Sequence, residues 1–364
     1  MRWAILPCLS VLAVAPLDSA QVKVSRDSCV EVIEDGEIIA RYVSEYDASQ
    51  AAKSPAYFQG QRAHLPWLVV PTIDRSCPRP APGVICAAHA FVTYSEFRRY
   101  DIGATGFDLW IPKAAPKITR NETGDGFIAE IERQTVSSPR LPDLKEERLF
   151  RFKRPSAPFA FTVETATSVK PVADKAFGRT EPRGFFPGAS RRESHEECFR
   201  PGGHITDITY LLPETAATRD WLKAGRPRPL PMRELPWLAI VFTCQHAVAE
   251  EKPSPPPGSP PRINLLKAGT YTALLLSHPS NHLSDEVRFI RGIVWIDHLT
   301  EATAGFAAQS RHQWLFAEGA LRDPAVFREA YREYTDVRLP NGGVLTLADA
   351  DIDAPRANPQ PSAK

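Results

Sequence analysis

"FIAEIERQTV", residues 127–136, alternates without a break: Phe127, Ala129 and Ile131 take one face, and Glu130, Glu132 and Gln134 take the other. Side chains on a strand point alternately up and down, so this period of two marks a half-buried antiparallel strand. The pattern recurs. Strands are expected at Val30–Ile33, Glu37–Val43, Trp67–Ile73, Val84–Tyr94, Phe107–Ile111, Phe159–Ala166, Ile205–Leu212, Trp237–Cys244, Thr270–Ser277 and Val287–Ile296. Helical signals are few. Asp323-Pro324 offers an N-cap followed by proline at the first helical position, with Phe327, Tyr331 and Tyr334 on one face. "PETAATRDWLKAG" and Thr300–Ala308 are further helical candidates. The fold class that follows is α+β, with antiparallel sheets and few helices.

Proline supports that reading. The chain carries 35 prolines in 364 residues, about twice ordinary usage, and a residue with fixed φ and no N–H donor favours loops and edge strands. "GDGF" at 124–127 and "PNGGV" at 340–344 read as hairpin turns. Asn121 begins an Asn-Glu-Thr glycosylation signal, which places it in a surface loop.

The order of features repeats. "LPWLVV" at 65–70 returns as "LPWLAIV" at 235–241, and Cys29 and Cys198 precede the two motifs at almost equal distances. Each cysteine is followed by glycine, a strand ending in tyrosine (Tyr42, Tyr210), an alanine-containing stretch, the Pro-Trp strand, another cysteine (Cys77, Cys244) and a proline-rich turn. This order reads as two similar units from an internal duplication. The alternative is a single domain that uses Pro-Trp at two strand starts. The expected division is 1–20 a signal peptide, 21–170 a first α+β unit, 171–197 a linker or long loop, 198–349 a second unit and 350–364 a disordered tail.

"MRWAILPCLSVLAVAPLDSA" has the parts of a secretory leader: Arg2, an apolar run to Leu17, and small residues before a cut after Ala20. The run is too short to span about 30 Å of hydrocarbon, so a chain secreted or delivered to a periplasm is expected, and not one that spans a membrane. With 44 basic and 43 acidic residues, no basic excess marks a nucleic-acid binder. In an oxidising compartment the cysteines after Cys8 pair with one another. Duplication gives Cys29–Cys77 and Cys198–Cys244, each loop of about fifty residues constraining the unfolded chain by about 4 kcal/mol. Cys86 is then left over; the rival bridge, Cys77–Cys86, strands Cys29 instead.

Four stretches carry candidate chemistry. His278 and His282 fall in a loop directly after the strand "YTALLL", with Asp285 beside them, and two imidazoles and a carboxylate are a zinc ligand set. Pro279 and Asn281 oppose the helix on which that spacing normally works, so a surface turn is the simpler reading. His195, Glu196, Glu197 and His204 surround Cys198 and read as the approach to the second unit. Cys86 and His89 point to opposite faces of a strand, and Cys244 with His246 reads as a bridged cysteine beside an ordinary histidine. The "PSPPPGSPP" run at 253–261 is a stiff polyproline spacer. The expected function is an exported protein that binds a small molecule or protein partner through its loops or an inter-unit cleft. The alternative is a zinc-dependent extracytoplasmic hydrolase built on His278, His282 and Asp285.

Overall fold

The computed structural model describes residues 21–24, 29–34, 37–43, 67–71, 89–100, 107–114, 116–135, 143–153, 155–172, 192–201, 205–224, 229–244, 269–281, 286–290, 293–301 and 308–352. Its strands are β1 (Gln21–Val24), β2 (Cys29–Glu34), β3 (Glu37–Val43), β4 (Trp67–Pro71), β5 (His89–Tyr100), β6 (Phe107–Pro112), β7 (Lys117–Arg120), β8 (Gly126–Thr135), β9 (Leu144–Lys153) and β10 (Phe161–Pro171). There follow β11 (Arg192–Pro201), β12 (Ile205–Pro213), β13 (Leu230–Pro231), β14 (Trp237–Cys244), β15 (Gly269–Ser277), β16 (Glu286–Ile290), β17 (Ile293–Glu301), β18 (Ala308–Glu318) and β19 (Val344–Ala348). Among the described residues two α-helices accompany them, α1 (Ala216–Lys223) and α2 (Pro324–Thr335). Among the described residues no helix is long and apolar enough to cross a membrane.

Every described pairing is antiparallel. One ribbon of neighbours runs β6–β8–β9–β10–β18–β15–β14–β12–β19. Strand β5 joins it through β6 and also pairs β4 and β11, so it links to β4–β3–β2–β1 and to β11–β17–β16–β13. The mostly antiparallel architecture expected from the alternation is therefore present. The two expected units are stitched into one sheet by β5–β11 and β10–β18.

Several boundaries differ. The stretch Val287–Ile296, expected as one strand, is a hairpin of β16 and β17 with Ile290 opposite Ile293. Thr300 ends in β17 and Ala308 begins β18, so the helix expected between them holds strand at both ends. Residues 192–197 of the expected linker belong to β11. The "PNGGV" stretch joins α2 to β19 and is not a hairpin turn; its Gly343 carbonyl accepts from Glu214 N–H. At the expected tail, Asp349–Asp351 form a short 3-10 turn, Asp349 accepts a hydrogen bond from the Tyr210 hydroxyl at 2.9 Å, and Ile352 is buried.

Local signals explain the elements that were expected. Asp323 caps α2 by accepting from Ala325 N–H, with Pro324 at the first position, and the helix ends at Asp336 in the left-handed region (φ 60°). Thr215 and Thr218 cap α1 reciprocally. The β7–β8 turn uses Gly124 at φ +76°, and the Asn121 side chain accepts from Gly126 N–H and donates to Asp125. Glu122 and Thr123 there are exposed, as a glycosylation signal in a surface loop requires.

The sheet buries both of its faces in different places. The inner face gathers Val30, Val32, Tyr42, Phe127, Phe150, Phe152, Val163 and Trp314 with Tyr210, Ile240 and Leu275. On the outer face an apolar patch lies under α2: Trp237, Leu274, Leu276 and Leu315 meet Phe327, Ala330 and Tyr331. Beyond Leu315 the outer face turns polar, and there a pocket opens.

Candidate functional site

Three neighbouring strands form the floor. Their register sets out rows of outward residues: Lys153, Thr162 and Leu315, then Arg151, Glu164 and Gln313, with Arg311 one step further along β18. Because side chains alternate, these residues share one face while Phe150, Phe152, Val163 and Trp314 fill the other. The walls are Pro155 and Ser156 from the β9–β10 connection, and Ala330, Glu333 and Tyr334 from α2. The pocket is open to solvent on one side and has a volume of about 310 Å³.

The pocket draws half its lining from residues 21–170 and half from residues 198–349, so it lies where the two expected units meet. Its centre is Glu164, whose side chain is only 8% exposed. Arg311 approaches one carboxylate oxygen at 3.3 Å and Lys153 the other at 3.7 Å. Two cations thus share one carboxylate, which satisfies a charge that burial would otherwise make costly.

Arg311 is held from behind. Asn281 Oδ1 accepts from Arg311 N–H at 2.7 Å, its Nδ2 donates to Arg311 C=O at 3.0 Å, and His278 N–H donates to the same carbonyl at 3.1 Å. A side chain here completes the edge of β18 as a partner strand would. The same Nδ2 reaches Ser277 Oγ at 3.0 Å.

His278 is the one expected zinc ligand within the described residues; His282 and Asp285 lie outside them. Its ring packs edge-on against Tyr334 at 5.5 Å, beside the pocket wall. Nδ1 accepts from Ser280 N–H at 3.1 Å, which leaves Nε2 as the nitrogen for any further partner. Burial, then the nearby charge of Arg311, pushes the imidazole below its ordinary range, so the ring is neutral at physiological pH. Among the described residues no group of three histidine, cysteine or acidic side chains is placed to hold a metal ion.

The other expected positions are scattered. Cys77, Cys86, His204 and His246 lie outside the described residues. Cys29 begins β2, Cys244 ends β14, and Cys198 sits inside β11 opposite Tyr94 and Trp295. His195 pairs in register with Phe97 and His298, and Glu196 and Glu197 follow it along the same strand. The pocket residues were not among the candidates. Their signal was present, as charges two apart in "RFK" (Arg151, Lys153) and polar residues two apart in "RHQ" (Arg311, Gln313), a spacing that puts each pair on one strand face.

The chain matches no known family model, and no curated protein matches its sequence.

Proposed function

We propose that the protein is exported and binds a small polar ligand in the pocket between its two halves. Cleavage after Ala20 leaves β1, and with it every described strand, in the mature chain. The carrying observation is the pocket itself, with three basic side chains, Glu164, Gln313 and Thr162 converging from β9, β10 and β18 against α2. Ligand sites combine such a preformed concavity with a few convergent polar groups, and they favour junctions between units.

The two-unit origin is part of this proposal. In support, β3 pairs β4 with Tyr42 opposite Leu68, and β12 pairs β14 with Tyr210 opposite Ile240. Each tyrosine strand therefore lies beside its Pro-Trp strand, the two registers differing by one pleat. Each Pro-Trp strand then pairs the next long strand, β5 or β15. The bridges Cys29–Cys77 and Cys198–Cys244 belong to the same reading, and a disulfide map of secreted protein tests them.

The binding proposal is tested by a thermal-shift screen of small polar compounds on the mature chain and on Gln313→Trp, which fills the pocket from an outward strand position. Ligands that raise the melting temperature of the parent are expected to leave the variant unmoved. Equal shifts in both proteins place binding elsewhere and overturn the proposal. The hydrolase alternative draws on His278, whose ring touches the pocket wall at Tyr334. Stoichiometric zinc that is lost in His282→Ala supports it, and zinc-free purified protein removes it.

A further inference from the structure

We infer that the pocket is an acid-binding site for a small hydroxylated monocarboxylate, a sugar acid in size and chemistry, with the ligand carboxylate held by Arg311. The inference rests on the pocket reading above and names its ligand class.

Charge is the first argument. Arg151, Lys153 and Arg311 line the pocket against Glu164 and Glu333, so the lining is one positive charge in excess. Glu333 lies on the exposed side of α2, whereas Glu164 is buried between two of the cations. One singly charged anion balances the site. Arginine suits a carboxylate because its fork donates two parallel hydrogen bonds. Arg311 is also the cation whose backbone is clamped, by Asn281 and His278.

Unmet polar atoms are the second argument. Nε of Arg151 and Oγ1 of Thr162 are buried and have no hydrogen-bond partner among the described residues. Both residues line this one pocket. Buried polar groups are almost always paired, so two orphans at one concavity mark a place where an incoming polar group completes the structure.

The two carboxylates set the rest of the ligand. Glu164 and Glu333 repel a dianion such as phosphate, yet they accept hydrogen bonds from hydroxyl groups, as Gln313 and Ser156 also do. The volume of about 310 Å³ equals roughly ten water molecules and sits at the small end of ligand pockets. A ligand with one carboxylate and several hydroxyls, no larger than a single sugar ring, meets all three conditions.

The test is calorimetric titration of the mature chain, at low salt, with D-glucuronate, D-galacturonate and D-gluconate, beside D-glucose and inorganic phosphate. At least one acid is expected to bind, and at least about ten-fold more tightly than glucose or phosphate. Arg311→Gln, in which Lys153 still faces Glu164, is expected to stay folded with a modestly lowered melting temperature and to weaken that acid roughly ten- to hundred-fold. Binding of glucose or phosphate as tight as that of the acids, an indifferent Arg311→Gln, or no acid bound overturns the inference. The arms separate the two claims. A neutral ligand blocked by Gln313→Trp sinks the acid and spares the pocket. An acid that binds Gln313→Trp unchanged sinks both.

Discussion

Two glutamates on adjacent strands face opposite ways, and each is held by two cations. Glu146 points inward from β9, where Arg133 meets it at 2.5 Å and Arg148 lies at 3.9 Å, all three side chains being only 1% exposed. Glu164 points outward from β10 to Lys153 and Arg311, whose side chains are 55% and 45% exposed. Each cluster is one carboxylate between two cations; what differs most is the solvent. Inside, the cluster is packed by aromatic rings: Arg148 lies 5.0 Å over Phe150, and burial drives the Tyr42 hydroxyl far above its ordinary range. Outside, water reaches both cations. The inner cluster is therefore a structural commitment, and the outer one is free to exchange partners, which is what a ligand site requires.

The sharpest way to break this comparison is to remove one partner from each side. Glu146→Ala leaves two guanidinium groups buried, and it is expected to cost roughly 3–5 kcal/mol in urea unfolding. Replacing Arg133, Glu146 and Arg148 together by apolar residues of similar volume is expected to cost much less than the three single changes added, because no charge of the cluster is left behind. Additive costs would show that the inner cluster is no cluster. On the outer side, Glu164→Gln is expected to cost about 1 kcal/mol and to lose part of that cost in high salt, since the two cations it leaves behind are half exposed and rehydrate. A cost near that of Glu146→Ala would place Glu164 in the structural class and remove the distinction on which the ligand site rests.

The same contrast governs what the sequence made legible. Strands rich in apolar residues were readable to within a residue at each end: β3, β8, β12 and β14 begin and end where expected or one residue away. Strands β9 and β18 were not read, because their inward rows carry Glu146, Arg148, Ser310 and His312 among the apolar residues. Period-two counting scores those positions as surface, so "LKEERLFRFK" looks like a charged loop until its partners are known. The first residues of β11, "RESHEE" at 192–197, carry no apolar alternation and were expected in the linker. The candidate site inherited the blind spot: five of its residues, Arg151, Lys153, Arg311, Gln313 and Leu315, stand on β9 and β18. The Asp323-Pro324 cap of α2 was legible because it depends only on neighbours in sequence, whereas a pocket floor depends on which strands become neighbours in space.

The smallest expected effect tests how far the outer field reaches. Asp125 lies in the β7–β8 turn, and Arg151 of the pocket acts on it. Burial raises its carboxyl, but hydrogen bonds from Thr123, Asn121 and its own backbone, with the charge of Arg151, outweigh that and hold it below its ordinary 3.8. A carboxylate lowered by folding stabilises the native state above the unfolded value, and that stabilisation is lost as pH falls through the folded one. Asp125→Asn is therefore expected to be slightly less stable than the parent at neutral pH, by under about 1 kcal/mol because solvent screens the turn. The two stability curves should converge below about pH 4. Repeating the titration on Arg151→Gln isolates the pocket's share: if Arg151 contributes, the gap between parent and Asp125→Asn narrows in that background, and an unchanged gap confines the effect to the turn's own hydrogen bonds.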